Sequence, residues 1–280
     1  MRLRIALFPA VAALGGALGA ASAAAAAPGI EIRDAVARIV VIPEDRADVK
    51  VEMLTVNRSL PLEVRQTASG VTIDGGLAHR IRDCHTSSEN PWTYVRGVGR
   101  VDYKDMPQVV IHAPKAVMLA SNGAIVGSIG RSAGLDIENS GCSAWTIADV
   151  AGEAVVRDSG VGAIRMGQAQ RLDARLSGVT NVHVNKVANL EVSLSGTGGL
   201  TLNELAGPME ARVSGAGHVK VLQGNAGAVR ATISGVGGIE FGGQAQSLDA
   251  QVSGIGSIRV KSVTGSVTKQ VSGIGHVTIG

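Results

Sequence analysis

From residue 116 onward, apolar and polar positions alternate in short runs. Leu248, Ala250 and Val252 alternate with Asp249 and Gln251, Ser253-Gly254 follows, and Ile258 and Val260 then flank Arg259. The preceding unit has Val229, Ala231 and Ile233, then Ser234-Gly235, then Ile239 and Phe241 around Glu240. The following unit has Val267 and Val271, then Ser272-Gly273, then Val277 and Ile279 around Thr278. A period of two marks a β-strand with one buried face. No stretch of these units spaces apolar residues three and four apart, so no helix is predicted there. Each unit predicts two short strands with Ser-Gly at the bend and a looser third side, such as 242–247 or 261–266.

The units recur at a nearly fixed interval. Ser-Gly stands at Ser140, Ser159, Ser177, Ser195, Ser214, Ser234, Ser253 and Ser272, spaced 19, 18, 18, 19, 20, 19 and 19 residues apart. Ser121, in Ser121-Asn122-Gly123, reads as a degenerate copy one interval upstream. Such a period means that each unit is one solenoid coil, unable to bury its apolar face alone. The predicted fold is all-β, a right-handed parallel β-helix with coils of about 19 residues. Nine coils at ~4.8 Å each give a rod about 40 Å long. Gly at each bend supplies positive φ or close approach. The Ser column is expected to be a structural ladder, its hydroxyls bonding along the corner. Outward positions stack opposite charges at Glu210, Arg230 and Asp249, and at Lys220, Glu240 and Arg259. The last coil, ending Val277-Thr278-Ile279-Gly280 without a polar cap, is expected to offer a strand edge for self-association.

Residues 1–27 read as a signal peptide. Arg2 and Arg4 precede the apolar run Ile5–Ala20 and the small-residue site Ala21-Ser22-Ala23. The mature chain is therefore expected to be exported, whether periplasmic, on the outer surface or secreted. Without the two arginines the formal charge falls from +3 to +1. No Lys/Arg cluster points to nucleic acid, and no second long apolar run predicts a transmembrane segment. Cys84 and Cys142 are the only two cysteines. In an oxidising compartment they are expected to form one disulfide.

Residues 28–115 lie outside the repeat register and are expected to begin the β-helix and cover its first coil. Strands are predicted at 38–42, 48–56, 62–66, 70–73 and 108–112, with turns at Pro43, Pro61 and Asp74-Gly75. An insert at 79–107 breaks the alternation and concentrates Trp92, Tyr94 and Tyr103, with Arg96 and Arg100 nearby. Aromatic and arginine side chains on a loop carried by a rigid scaffold are candidate contacts for a glycan or an envelope protein. The bland alternative buries the rings as a satellite core. No catalytic residues, cofactor or metal site are assigned. The runner-up function is a polysaccharide lyase or hydrolase, for which only Asp102 and Asp105, with Arg96 and Arg100, offer a cluster.

The opening strands 37–42 and 48–51, the segment 109–114 and the repeated Ser-Gly-x-Gly-x-Ile/Val unit, as in Ser253–Ile258, carry a family resemblance. Over roughly residues 30–280 the chain resembles the auto-transporter adhesin head domain family, also called the GIN domain. The resemblance implies an exported, adhesin-like β-helical module of the bacterial envelope and supplies no catalytic residues. The cysteine-bearing insert departs from the family's pattern, and no C-terminal barrel is present in the sequence to support self-translocation.

Overall fold

A computed structural model of the chain describes residues 27–86 and 90–280. The expected signal segment lies outside these residues, apart from Ala27. Among the described residues, strands dominate and one 3-10 turn, Tyr103–Asp105, is the helical content. No helix among them is long and apolar enough to cross a membrane.

The chain winds into a parallel β-solenoid of about nine turns. Strand β1 (Gly29–Glu44) makes the first coil. It is followed by β2 (Lys50–Met53), β3 (Glu63–Thr67), β4 (Gly70–Asp74), β5 (Ile81–His85), β6 (Trp92–Val95), β7 (Gly99–Asp102), β8 (Gln108–Pro114) and β9 (Ala116–Ile129). Beyond β9 the coils stack parallel, residue over residue along the inward columns. Ile164 lies over Trp145, then come Val182, Leu200, Val219, Ile239 and Ile258 in one inward column. On one side of the first coil lie β4 and β8, parallel to β1. Strands β3 and β2 add antiparallel to β4 and β8. The mixed pairing explains why residues 28–115 escape the repeat period.

The third side is less loose than the alternation predicts. Four strands run through it: Val161–Leu176 and Val179–Leu194, separated by Ser-Gly alone, and Ala216–Ile233 and Val236–Val252, likewise separated by Ser-Gly alone. Register shifts at Val221/Asn225 and Phe241/Gln244 absorb the turn. Parallel pairing to the neighbouring coil keeps the backbone extended even where side-chain alternation lapses.

The corner glycines serve close approach. Those of the Ser-Gly repeats keep negative or extended φ, and positive φ in this column occurs at Gly123 in the degenerate copy. At Gly178, Gly196 and Gly254 an added Cβ would overlap the carbonyl oxygen of the corner glycine one coil before. The corner serines bond from coil to coil through the backbone. Ser159, Ser177 and Ser253 donate their hydroxyls to a backbone carbonyl of the preceding coil, at 3.3, 3.5 and 3.5 Å. A hydroxyl-to-hydroxyl ladder is not what the corner uses. Opposite charges meet at Arg230–Asp249 (3.7 Å) and Lys220–Glu240 (3.2 Å). Glu210 turns instead to Arg212 on its own strand.

Ser121 is the clearest misreading. It aligns with Asn139, so Asn122 occupies the corner Ser position. There the Asn122 Oδ1 accepts the N–H of Asp34, a left-handed residue at a bulge in the first coil, at 2.5 Å. Ser121 faces inward and starts a buried polar column with Asn139 and Asp158. The same column continues as Leu176, Leu194 and Val213. The Ser121 hydroxyl and the Trp145 Nε1–H both donate to Asn139 Oδ1, at 2.5 and 3.0 Å. Asp158 accepts from Thr180 Oγ1 (2.6 Å), Gly160 N (3.1 Å) and Asn139 Nδ2 (3.3 Å). Nearly every buried polar group here is partnered, which is the condition for tolerating them in a core. Trp145 fits because Gly127, one coil below, leaves room for its ring.

Two outcomes follow. Gly196→Ala is expected to cost about 1–3 kcal/mol through forced separation of stacked backbones, and a thermal melt equal to wild type would contradict it. Burial holds the Asp158 carboxyl above the ordinary carboxylate range, against the pull of its donors. Its protonated form is thus favoured in the folded state. The folded protein gains most below the unfolded-state pKa, and that stability is lost as pH rises through the raised folded value. Urea titrations from pH 3 to 8 should show this loss in wild type and not in Asp158→Asn. Parallel profiles for the two proteins would refute the assignment.

Candidate functional site

The insert folds as a three-stranded antiparallel sheet in the order β5-β6-β7. Its pairing is local: Trp92 opposes His85 and Asp102, and Tyr94 opposes Asp83 and Arg100. Alternation within the strands splits the sheet into two faces. One face sends Val95 and Val101 into a second apolar cluster with Val36, Leu77, Ala124 and Cys142. Thr93 shares this face, fully buried, and donates its hydroxyl to the Asp83 carbonyl at 2.8 Å. The expected disulfide is present: Cys84 on β5 is joined to Cys142, with Cα atoms 6.3 Å apart. It pins the insert to the coil that carries Cys142.

The aromatic rings point the other way, so the satellite core forms without them. Trp92 is stacked against His85 with centroids 6.0 Å apart, and the Arg100 guanidinium lies 4.7 Å from its ring centre. Arg100 also donates to Asp102 at 2.8 Å. Tyr94 is 44% exposed beside Arg100. The fold thus brings Trp92, Tyr94 and Arg100 onto one outward face, joined by His85, Asp83 and Asp102. Tyr103 lies apart in the 3-10 turn, exposed, with the Arg38 guanidinium 5.0 Å from its ring centre. Arg96 follows the far end of β6, where its backbone exchanges contacts with Arg80. Neither joins the Trp92 cluster. Cation–π contacts of this exposed kind contribute about 0.5–1 kcal/mol each.

Sequence reasoning missed a second concavity. A groove of about 360 Å3 is lined by Glu31, Asp136, Glu138, Arg157 and Met118 among others. Stacking brings Glu31 of the first coil near Asp136 and Glu138, which share the strand Gly134–Asn139. Arg157 pairs with Asp136 at 2.5 Å, and Thr72 donates to Glu31 at 2.9 Å. Their spacing in sequence carries no motif, so only the coil register could have revealed them. Among the described residues, no group of three or more His, Cys, Asp or Glu side chains could hold a metal ion.

The fold and this site define a β-solenoid carrying a disulfide-pinned surface module. Residues 181–280 match the family model described as "Putative auto-transporter adhesin, head GIN domain". This stretch is similar to that family's domain, in keeping with the Ser-Gly-x-Gly units. The matched segment is shorter than the resemblance read from 30–280, and it leaves out the insert. Two crystal structures are similar over 90% of this chain and 92% of their own. One is a putative adhesin from Bacteroides fragilis at 19% identity and TM-score 0.43. The other is a putative lipid binding protein from Parabacteroides distasonis at 16% identity and TM-score 0.46. No curated protein matches the chain.

Replacing both cysteines, Cys84→Ser with Cys142→Ser, opens a loop spanning 58 residues of sequence. The insert should then lose about 2–4 kcal/mol of anchoring. Differential scanning calorimetry should resolve an early transition ahead of the main melt. A single unshifted transition would count against the disulfide as the insert's anchor.

Proposed function

We propose that the protein is an exported, non-catalytic binding module of the cell envelope that meets its ligand through the outward face of the insert. The observation that carries this reading is the split of the small sheet. Aliphatic residues and the disulfide hold it down, while Tyr94 and Arg100 are exposed and the half-buried Trp92 shares their outward face. A folding role alone would favour burying those rings. Aromatic and arginine side chains on a pre-organised surface are the usual anchors of recognition. Ring faces suit the apolar faces of sugars, and Arg100 with Asp102 supplies directional hydrogen bonding. The disulfide supports an oxidising compartment, in keeping with the N-terminal pattern of the sequence.

The alternative reading, a polysaccharide lyase or hydrolase, is favoured by one observation: the groove that gathers Glu31, Asp136 and Glu138 beside Arg157. In the insert, Asp102 is engaged by Arg100 and Asp105 sits in the exposed 3-10 turn. The ion pair and hydrogen bond in the groove engage Asp136 and Glu31 in holding neighbouring coils together. Binding remains the better supported reading.

A glycan array with the mature protein tests it. Trp92→Ala with Tyr94→Ala should weaken binding at least tenfold, as for anchors worth ~2 kcal/mol, and leave the melting curve nearly unchanged. Equal affinity in the double variant, or collapse of the fold, would overturn the assignment.

A further inference from the structure

The strand after each Ser-Gly corner turns every second residue outward, and register stacks these residues in columns. The middle column reads Ala144, Ala163, Asn181, Gly199, His218 and Gly238. Beside it, two residues further along each strand, stand Thr146, Arg165, His183, Thr201, Lys220 and Glu240. Outward residues of one strand lie about 6.6 Å apart and those of stacked coils ~4.8 Å apart, so the two columns form a close grid. The middle column is small at Ala163 and Gly199, and the surface dips there. A basin of about 360 Å3 opens at the dip, with Arg165, Asn181, His183, Thr201 and His218 around it. Gly199 also places one of these side chains. A Cβ on Gly199 would stand 2.9 Å from Cε1 and Nε2 of His218, so the imidazole leans back over the preceding coil and buries the glycine.

Each of the five polar side chains around the basin offers a hydrogen-bond donor, and no carboxylate lines it. Acids on the neighbouring surface are already engaged. Glu204 pairs with Lys186 at 2.7 Å and Glu240 with Lys220 at 3.2 Å, and Asp149 accepts the Gln168 N–H at 3.0 Å. Among the described residues, none of the five makes an ion pair or a side-chain hydrogen bond within the protein. Most arginines of the coils are used differently: Arg157, Arg171, Arg175, Arg212 and Arg230 each hold an acid. Arg165 is thus an unpaired guanidinium in a concavity of donors. Its planar fork matches the oxygens of a carboxylate or phosphate. Each imidazole keeps at least one N–H to donate, and Asn181 and Thr201 both donate and accept. The basin exceeds the size of a bare oxyanion, and its acceptors suit hydroxyl groups carried beside the charge.

We propose that this basin binds a sugar-sized, hydroxylated anion whose carboxylate or phosphate pairs with Arg165. His183 and His218 donate to the same acid group, and Asn181 and Thr201 meet the hydroxyls. The site is assembled by the coil register, since its polar residues come from four successive coils. They ride on strands held at fixed spacing, so little order has to be created on binding. The inference does not rest on the insert: Trp92, Tyr94 and Arg100 take no part in the basin. The two sites can therefore succeed or fail separately.

The test uses the full mature protein at physiological ionic strength, where attraction between distant exposed charges is largely screened. Protein with isotope-labelled histidine is titrated with glucuronate, with glucose 6-phosphate and, as the uncharged control, with glucose. The ring resonances of His183 and His218, assigned from His183→Gln and His218→Gln, should shift saturably with an anionic sugar. Those of His79, His85, His112 and His276 should stay in place, and glucose should move none. Arg165→Gln should weaken binding at least about tenfold, as for a lost charge-assisted hydrogen bond. Arg165→Lys, which keeps the charge without the fork, should weaken it less. Arg165 is exposed, so both variants should melt as wild type does. Arg259→Gln removes the same charge from the same column five coils further on and should leave affinity unchanged, as should Trp92→Ala. Saturation by either anionic sugar supports the proposal, and the tighter of the two identifies the acid group. It is overturned if neither anionic sugar gives a saturable shift, if glucose binds equally, or if Arg165→Gln keeps wild-type affinity. Equal losses in Arg165→Gln and Arg259→Gln would reduce the binding to the general field of the surface and overturn it as well.

Discussion

Backbone resting on backbone at the Ser-Gly corner is the constraint on which the rest of the molecule depends. Each corner glycine sits so close above the one before that a Cβ would overlap its carbonyl. That approach keeps the coils at strand spacing all the way round, so the parallel ladder is not interrupted at the bend. A uniform ladder in turn fixes which residues stack. Inward columns become a continuous aliphatic core, and outward columns become lines of like position. The flexibility of glycine is incidental here. Its lack of a side chain is what the corner uses.

The same register gives the surface its two distinct regions. Strict stacking turns the x position of Ser-Gly-x-Gly into a straight line, apolar but for Thr197. The insert exists as a folded sheet because it can bury Val95, Val101 and Met106 against the start of that line. A three-stranded sheet of short strands has little stability of its own. The disulfide and the apolar floor therefore do together what neither local sequence nor hairpin pairing does alone. Once the aliphatic face is committed downward, alternation forces Trp92, Tyr94 and Arg100 outward.

Much of this was legible in the sequence, and the losses have physical reasons. The Ser-Gly period and the period-two alternation reveal the solenoid, because repeated identical environments demand repeated residues. The cysteine pairing was readable because two thiols in a chain whose N-terminal pattern reads as an export signal have few alternatives. Ser121 was misplaced because this coil is 18 residues long and carries Asn122 at the corner Ser position, so an interval of 19 lands one residue early. The column Ser121–Asn139–Asp158 was missed because polar residues in a strand read as solvent-facing. Only the stack shows that they satisfy one another inside. The outward rings were uncertain because alternation assigns two faces to a strand but does not say which one is buried. The groove at Glu31 and Glu138 was invisible because its acids are neighbours across coils and not along the chain.

The central claim is that the coils form one cooperative ladder and that the insert is a separate module held on it by Cys84–Cys142 and the apolar line. Native-state amide hydrogen exchange, run with and without reductant, addresses this directly. The account predicts that amides in the strands from 161 to 252 keep uniform, slow exchange in both conditions, while those of 81–85 and 92–102 speed up markedly on reduction. Exchange that rises across the coils together with the insert, or an insert indifferent to reduction, would contradict it.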